Sequence, residues 1–253
     1  MKIAAQQLVK AYKGRRVVDK VSFSFDQGEV VGLLGPNGAG KTTTFYIITG
    51  VIQPNSGTVI FDDEDVTKWP MYKRARAGIG YLPQETSVFR RLSVRDNIRL
   101  VLEFSSLSKP EIDERVEELA EALHITQILD SRGGILSGGE MRRVEIARAL
   151  ATKPRFILLD EPFTGIDPVT IEELQKIILR LRDDGIGILI TDHNVSATLS
   201  ITDRNYILID GVIRAEGDEA EIRANAQVRK FYLGQGLDGN GQPDEVKSGE
   251  ADS

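Results

Sequence analysis

The residues Gly35 to Thr42 fit the phosphate-binding pattern G-x-x-x-x-G-K-[ST]. In order they are Gly35, Pro36, Asn37, Gly38, Ala39, Gly40, Lys41 and Thr42, and Thr43 follows directly. Glycines let backbone N–H groups curl around a phosphate, and a helix beginning there offers the anion its positive end. Lys41 can reach the outer phosphates of a nucleotide, and the Thr42 hydroxyl can ligate Mg²⁺. The segment therefore predicts a nucleotide-binding loop rather than an ordinary glycine-rich turn.

A second segment ends an apolar run in two acids, because Phe156-Ile157-Leu158-Leu159 is followed by Asp160 and Glu161. Alone, such a run could be a strand that ends in a charged turn. Beside a phosphate loop, we expect Asp160 to hold Mg²⁺ through water and Glu161 to polarise a water that attacks the terminal phosphate. Neighbouring acids can take different roles when their surroundings differ.

A third segment begins a helical pattern and consists of Leu136, Ser137, Gly138, Gly139 and Glu140. A Ser-Gly-Gly sequence at a helix N-terminus is a second anion cradle. The alternative is a plain helix cap, which Ser137 could provide unaided. One nucleotide does not need two cradles from one chain. A head-to-tail homodimer, in which each segment closes over the partner's nucleotide, uses both.

Because the chain carries these three segments together, residues 1 to about 233 resemble the ATP-binding-cassette (ABC) ATPases. The resemblance implies ATP as substrate with Mg²⁺ held by Thr42, Gln84 and Asp160, and catalysis by Glu161, Gln84 and His193. It further implies that Tyr12 stacks on adenine and that Asp167 lies in a loop at the dimer interface. The segment Leu136 to Glu140 corresponds to the family's signature segment. Glu140 departs from the glutamine most common there, whereas Ser137 and Gly139 are retained.

Short apolar runs supply the strands that must position these residues. Glu29–Leu34, Phe156–Asp160 and Gly187–Thr191 are typical of parallel strands buried on both faces. Val21–Phe25 alternates as a half-buried antiparallel strand does. Helical patterns lie between several of these runs, so we predict an α/β fold.

The segment from about 85 to 150 is predicted to be mainly helical, with helices over Ser93–Leu107, 110–123 and Glu140–Ala151. The resemblance implies a mainly parallel core sheet, an antiparallel β subdomain and this helical subdomain inserted beside them, all within a domain of residues 1–233.

Charge and composition exclude several classes of protein. The chain of 253 residues has a formal net charge of −6, no Cys and only two His. Thiolate and His-rich metal sites are therefore excluded, and no basic excess suggests a nucleic-acid partner. The tail 234–253 carries −4 of the −6, and its composition predicts disorder. No targeting segment or membrane-spanning run is expected.

Several stretches, among them Gly78–Glu85 and Arg142–Arg148, are similar to the ATPase subunits of lipopolysaccharide exporters. That resemblance implies a homodimer at the cytoplasmic face of the inner membrane, bound to two membrane subunits through Phe89, Arg90 and Arg91. The competing interpretation of these three residues is a charged exposed loop with one buried ring. ATPases of branched-chain amino-acid importers have similar motifs, and a cytosolic ABC ATPase outside transport is a third alternative.

Overall fold

The computed structural model describes residues 1–233, and the predicted disordered tail 234–253 lies outside the described residues. The strands of the described part are β1 (Lys2–Tyr12), β2 (Arg15–Asp26), β3 (Val30–Leu34), β4 (Ser56–Phe61), β5 (Glu64–Asp65), β6 (Ile79–Leu82), β7 (Phe156–Asp160), β8 (Gly187–Thr191), β9 (Arg204–Ile209) and β10 (Val212–Gly217). Its helices are α1 (Lys41–Thr49), α2 (Met71–Arg76), α3 (Val94–Leu102), α4 (Lys109–Ala122), α5 (Gly138–Leu150), α6 (Pro168–Asp183), α7 (Val195–Leu199), α8 (Glu219–Ala224) and α9 (Ala226–Val228).

The core is a six-stranded sheet in the order β10-β9-β3-β8-β7-β6. Its strands are parallel except β10, which pairs antiparallel with β9 at one edge. Every residue of β3, β7 and β8 is buried, as the continuous apolar runs predicted. The α/β fold class with a mainly parallel core sheet is therefore confirmed. Because parallel strands end at the same edge of a sheet, loops after β3, β7 and β8 meet there.

A four-stranded sheet, β2-β1-β4-β5, is antiparallel throughout and packs over one face of the core sheet. Alternate residues of β2, such as Val21, Phe23 and Phe25, are buried between the two sheets. Phe25 and Phe61 both meet Phe156 of β7 edge to face. This sheet is the antiparallel β subdomain that the family resemblance implied.

The inserted segment contains α3, α4 and α5, which bury a shared apolar cluster. Ser93 caps α3, and a reciprocal pair of Ser108 and Glu111 caps α4. The first helix is shorter than predicted, because it ends at Leu102 rather than Leu107. A turn at Ser105 then leads into the Ser108 cap, where α4 begins. Within residues 1–233, no helix is long and apolar enough to cross a bilayer.

Arg74 of α2 closes the C-terminal end of α1, the helix that follows the phosphate loop. Its buried guanidinium donates to the carbonyls of Ile47 and Ile48 at 2.7 and 2.5 Å, and to those of Thr67 and Trp69 at 2.8 and 3.2 Å. Burial lowers the pKa of Arg74 to about 10. The cation therefore occupies the negative end of the α1 dipole and satisfies carbonyls that a helix end leaves unpaired.

We predict that Arg74→Ala lowers the free energy of unfolding by about 3 kcal/mol or more, because four buried acceptors lose a charged donor. Urea unfolding followed by far-UV circular dichroism measures the change. Arg76→Ala is the matched control, since the Arg76 side chain on the same helix is exposed. Equal stability of the two variants would contradict the role given to Arg74.

Candidate nucleotide hydrolysis site

The loop between β3 and α1 is held very close to neighbouring backbone. A β-carbon added at Gly35 would lie 2.0 Å from the Leu208 carbonyl oxygen, and one at Gly40 would lie 2.3 Å from that of Val17. Gly40 precedes α1 with a φ of 103° and places no side chain over the first amides of that helix. The loop therefore needs glycine at both positions, and the helix N-terminus remains available to an anion.

Lys41 is the buried cation of this loop. Its Nζ donates to the carbonyls of Gly35 at 2.7 Å and Pro36 at 3.1 Å. Burial lowers the pKa of Lys41, and the carboxylates of Glu161, Asp160 and Asp192 oppose that shift. Gly35 to Gly40 form the loop, and Lys41, Thr42 and Thr43 are the first three residues of α1.

Asp160, at the end of β7, is 1% exposed and has one oxygen without a protein donor. Tyr81 donates its hydroxyl to Oδ2 at 3.4 Å, whereas Oδ1 has no hydrogen-bond partner in the described part of the chain. Burial and then the neighbouring Glu161 carboxylate raise the pKa of Asp160 to about 6. Because an unpaired buried carboxylate oxygen is costly, this side chain fits a bound cation or its water.

Glu161 lies at the centre of a cluster that unites the three predicted catalytic residues. Gln84 Nε2 lies 2.7 Å from Glu161 Oε2, and His193 Nε2 lies 2.6 Å from Oε1. Thr164 also donates to Oε2, at 3.2 Å. The backbone of Glu161 has a φ of 50°, an uncommon conformation for a residue with a side chain. The carboxylate is therefore fixed in direction, as a group that must orient a water needs to be.

Four supporting residues were not assigned a role from the sequence: Tyr81, Arg142, Thr164 and Asp192. Arg142 is buried and donates to the carbonyls of Pro83 and Asp160 and to Glu145, each at 3.0 Å. Asp192 is also buried, and its carboxylate accepts from the amides of Phe163 at 2.7 Å and Asn194 at 2.8 Å. The sequence signal available for Arg142 was its spacing from Glu145, because opposite charges at positions i and i+3 of a helix can pair.

The second predicted anion cradle begins α5 with a reciprocal cap. Ser137 Oγ accepts from the Glu140 amide at 3.3 Å, while Glu140 Oε2 accepts from the Ser137 amide and hydroxyl at 2.8 and 2.7 Å. Leu136 precedes this cap, and Gly138 shares a cleft of about 190 Å³ with Gln84 and Glu161. The segment Leu136 to Glu140 is thus close to the Glu161 cluster of its own chain.

Asp167 caps α6, accepting from the Thr170 amide at 3.0 Å and hydroxyl at 2.7 Å.

Tyr12, at the end of β1, is 48% exposed, with Lys10 Nζ 5.5 Å from its ring centroid. With that exposure Tyr12 is not a core residue, and a ring face is open for stacking.

The segment that was expected to contact membrane partners presents an exposed ring. Phe89 is 47% exposed, and the Arg148 guanidinium lies 4.9 Å from its ring centroid. Buried Asn97 accepts from the Phe89 amide at 2.8 Å and donates to its carbonyl at 3.1 Å. Arg90 and Arg91 are exposed. The alternative of one buried ring in a charged loop therefore does not describe Phe89.

A glycine-rich loop between a buried parallel strand and a helix, with paired acids ending a nearby strand, defines a nucleotide-binding α/β ATPase. Residues 18–164 match the ABC transporter family. The chain belongs to this family of ATP-binding cassettes. It is 54% identical, over 92% of its length and 97% of the relative, to the lipopolysaccharide export system ATP-binding protein LptB of Escherichia coli K12. The protein of the same name from Acidithiobacillus ferridurans is 55% identical over 92% of this chain and 96% of that protein.

Solved structures agree with the family. The crystal structure of MJ1267, an ATP-binding cassette in its ADP conformation, is 31% identical and has a TM-score of 0.83. That similarity covers 93% of this chain and all of the other. The dimeric structure of MJ0796, a bacterial ABC transporter cassette, is 27% identical with a TM-score of 0.78, covering 86% of this chain and 98% of that one. The chain is therefore an ATPase of the ABC class.

We predict that Asp160→Asn stabilises the nucleotide-free protein. The pKa of Asp160 lies near 6 in the fold and 3.8 is its ordinary value, so the folded state binds more protons between these limits. The free energy of unfolding therefore falls, through this group, as pH rises from 3.8 towards 6. At pH 7 the variant should gain roughly 1–3 kcal/mol.

Urea unfolding between pH 4.5 and 7.5, without nucleotide or Mg²⁺, measures this difference. Asp63→Asn is the control, because Asp63 is exposed. An unchanged pH dependence in Asp160→Asn would show that this carboxyl is not held at high pKa.

Proposed function

We propose that this chain is the ATP-hydrolysing subunit of a lipopolysaccharide export transporter. The observation that carries the proposal is identity of 54–55% to two curated lipopolysaccharide export ATP-binding proteins, across nearly the whole length of each. The Glu161 cluster supports the ATP-hydrolysing part of this proposal. It does not distinguish lipopolysaccharide export, since such a cluster serves any ABC transporter. The branched-chain amino-acid importer is not favoured, because these relatives are named for lipopolysaccharide export.

The side chains at the edge of the core sheet, where the loops after β3, β7 and β8 meet, supply the groups that ATP hydrolysis needs. Lys41 and the α1 amides bind the phosphates, and Thr42, Gln84 and Asp160 would hold Mg²⁺, which neutralises charge on the phosphate oxygens. Glu161 accepts a proton from water as the water oxygen bonds to the terminal phosphorus and the bond to the ADP oxygen breaks. His193 Nε2 lies 2.6 Å from Glu161 Oε1, where it orients the carboxylate. The chain thus supplies position and electrostatic stabilisation.

The complete site requires a homodimer. In the head-to-tail arrangement, Ser137 and Gly139 contact the terminal phosphate bound by the partner, and Asp167 lies at the interface between the copies. The dimeric cassette of similar fold supports this assembly. The cap on α5 supports it as well, because it fixes Ser137 at the exposed start of that helix.

Docking on two inner-membrane subunits is assigned to Phe89, Arg90 and Arg91, which places the chain at the cytoplasmic face of the membrane. Phe89 offers an exposed apolar anchor on a loop that Asn97 holds through two hydrogen bonds. An apolar anchor flanked by cations fits an amphipathic helix that carries acids. Arg148 contacts the ring and also donates to the Ser87 carbonyl and hydroxyl, so the loop is connected to α5.

We predict that Glu161→Gln lowers ATP turnover by roughly 10²–10⁴ while nucleotide binding is retained, because the amide cannot accept the proton. Phosphate release and fluorescent-ATP titration measure the two quantities. Lys41→Ala should instead weaken binding, and Glu85→Gln, an exposed acid beside Gln84, should leave both unchanged. Turnover near that of the wild type in Glu161→Gln would remove this residue from the role of base.

We predict that affinity purification from the membranes of the native host recovers two integral membrane subunits together with lipopolysaccharide. Phe89→Ala should reduce that recovery about tenfold, because the anchor is lost. Phe104→Ala is the matched control, an 86% exposed phenylalanine in the same subdomain.

Protein mass spectrometry and lipid A analysis read out the result. Recovery of permeases with an amino-acid-binding protein would overturn the export function. Equal recovery with Phe89→Ala would overturn only the docking residues.

A further inference from the structure

A basic cleft of about 430 Å³ separates the helical subdomain from the core. One wall is the end of α4 and the turn after it, with Ala122, His124 and Gln127. The other wall is α6, and Arg143 of α5 closes the cleft. The remaining lining residues are Glu173, Lys176, Ile177 and Arg180. This cleft is not the ATP site, because no phosphate-loop or catalytic residue lines it.

The cleft has more cationic than anionic groups. Arg143 pairs with Glu173 at 2.6 Å. The side chains of Lys176 and Arg180 are exposed and have no acidic partner within residues 1–233. They lie one helical turn apart on α6. Such a pair, left unneutralised in a concave site, attracts an acidic ligand.

We propose that the acidic segment 234–253 of the same chain docks in this cleft. Its acids are Asp238, Asp244, Glu245, Glu250 and Asp252, and Lys247 is its one base. The segment carries −4, whereas the rest of the chain is nearly neutral, so the charge of the segment complements that of the cleft. Two successive acids, Asp244 and Glu245, match the two unpaired cations.

The described chain ends on the same side of the core sheet as the cleft. Tyr232 packs against the apolar cluster that contains Leu34 and Leu199. Leu34 lies on the same face of β3 as Val30, and Val30 belongs to one apolar cluster with Leu174 and Ile178 of α6. Gln175 of α6 then donates to the Ala197 carbonyl of α7 at 2.7 Å. Lys176 and Arg180 lie on the flank of α6 beyond Gln175.

Length permits the connection. Neighbouring packed helices are about 8–10 Å apart, so a path that starts beside α7 and crosses α6 covers two to three such spacings, about 16–30 Å. An extended chain spans at most about 3.3–3.6 Å per residue, so Asp244 and Glu245 can reach about 35–40 Å beyond Leu233.

Carbodiimide cross-linking of the full-length protein tests the proposal, because the reagent joins only a lysine and a carboxyl in contact. At low salt we expect Lys176 to link to Asp244 or Glu245, as identified by peptide mass spectrometry. In 1 M NaCl, where the Debye length is about 3 Å, the yield should fall at least fivefold. Arg180→Glu should reduce the Lys176 yield at least threefold. Arg214→Glu, which changes an exposed arginine on β10, should not.

Three results would overturn the proposal. The first is a tail that links to exposed lysines such as Lys20 and Lys68 as readily as to Lys176. The second is a Lys176 yield that salt and Arg180→Glu leave unchanged. The third is a cross-link that joins isotopically light and heavy copies, since the occupant would then be a second chain. Circular dichroism of both variants shows whether they are folded as the wild type is.

Discussion

The arrangement of the site depends on one constraint, which is the burial of three carboxylates beside a single ammonium at the edge of a parallel sheet. Asp160, Glu161, Asp192 and Lys41 are each at most 6% exposed. Burial penalises the charged form of Lys41, Asp160 and Asp192, and Lys41 cannot balance three acids. Backbone amides satisfy Asp192, and Gln84, His193 and Thr164 surround Glu161. Only Asp160 in this group retains an unpaired oxygen, so a cation bound there would offset the cost of burying that carboxylate.

Helix α1, which follows the glycine-rich loop, is held differently at its two ends. At its N-terminus, Gly40 approaches the Val17 carbonyl so closely that any side chain is excluded. At its C-terminus, Arg74 fills the space beside Gly50 and donates to the last carbonyls of the helix. The positive end of the dipole is therefore left for the nucleotide, while the protein neutralises the negative end.

Sequence reasoning predicted the parts of the site that local patterns encode. The phosphate loop, the strand ending in Asp160 and the histidine after β8 each lie in a short segment with its own signal. β6 was missed because its glycine, Gly80, and the preceding Gly78 weaken the apolar pattern. Arg142 and Asp192 were missed for a different reason. Each has one partner that is distant in sequence, Asp160 for Arg142 and Phe163 for Asp192, and only the fold brings these pairs together.

The two anion cradles of the chain are electrostatically unequal. The first turn of α1 has no acid, whereas that of α5 has Glu140, whose bonds to Ser137 lower its pKa. An ionised carboxylate at a helix N-terminus offsets the dipole that attracts phosphate. The start of α5 therefore attracts a phosphate more weakly than it would with a glutamine at position 140, and nearby Arg143 offsets part of that charge. The start of α1, with Lys41 and no acid in its first turn, is accordingly the stronger attractant for an anion of the two.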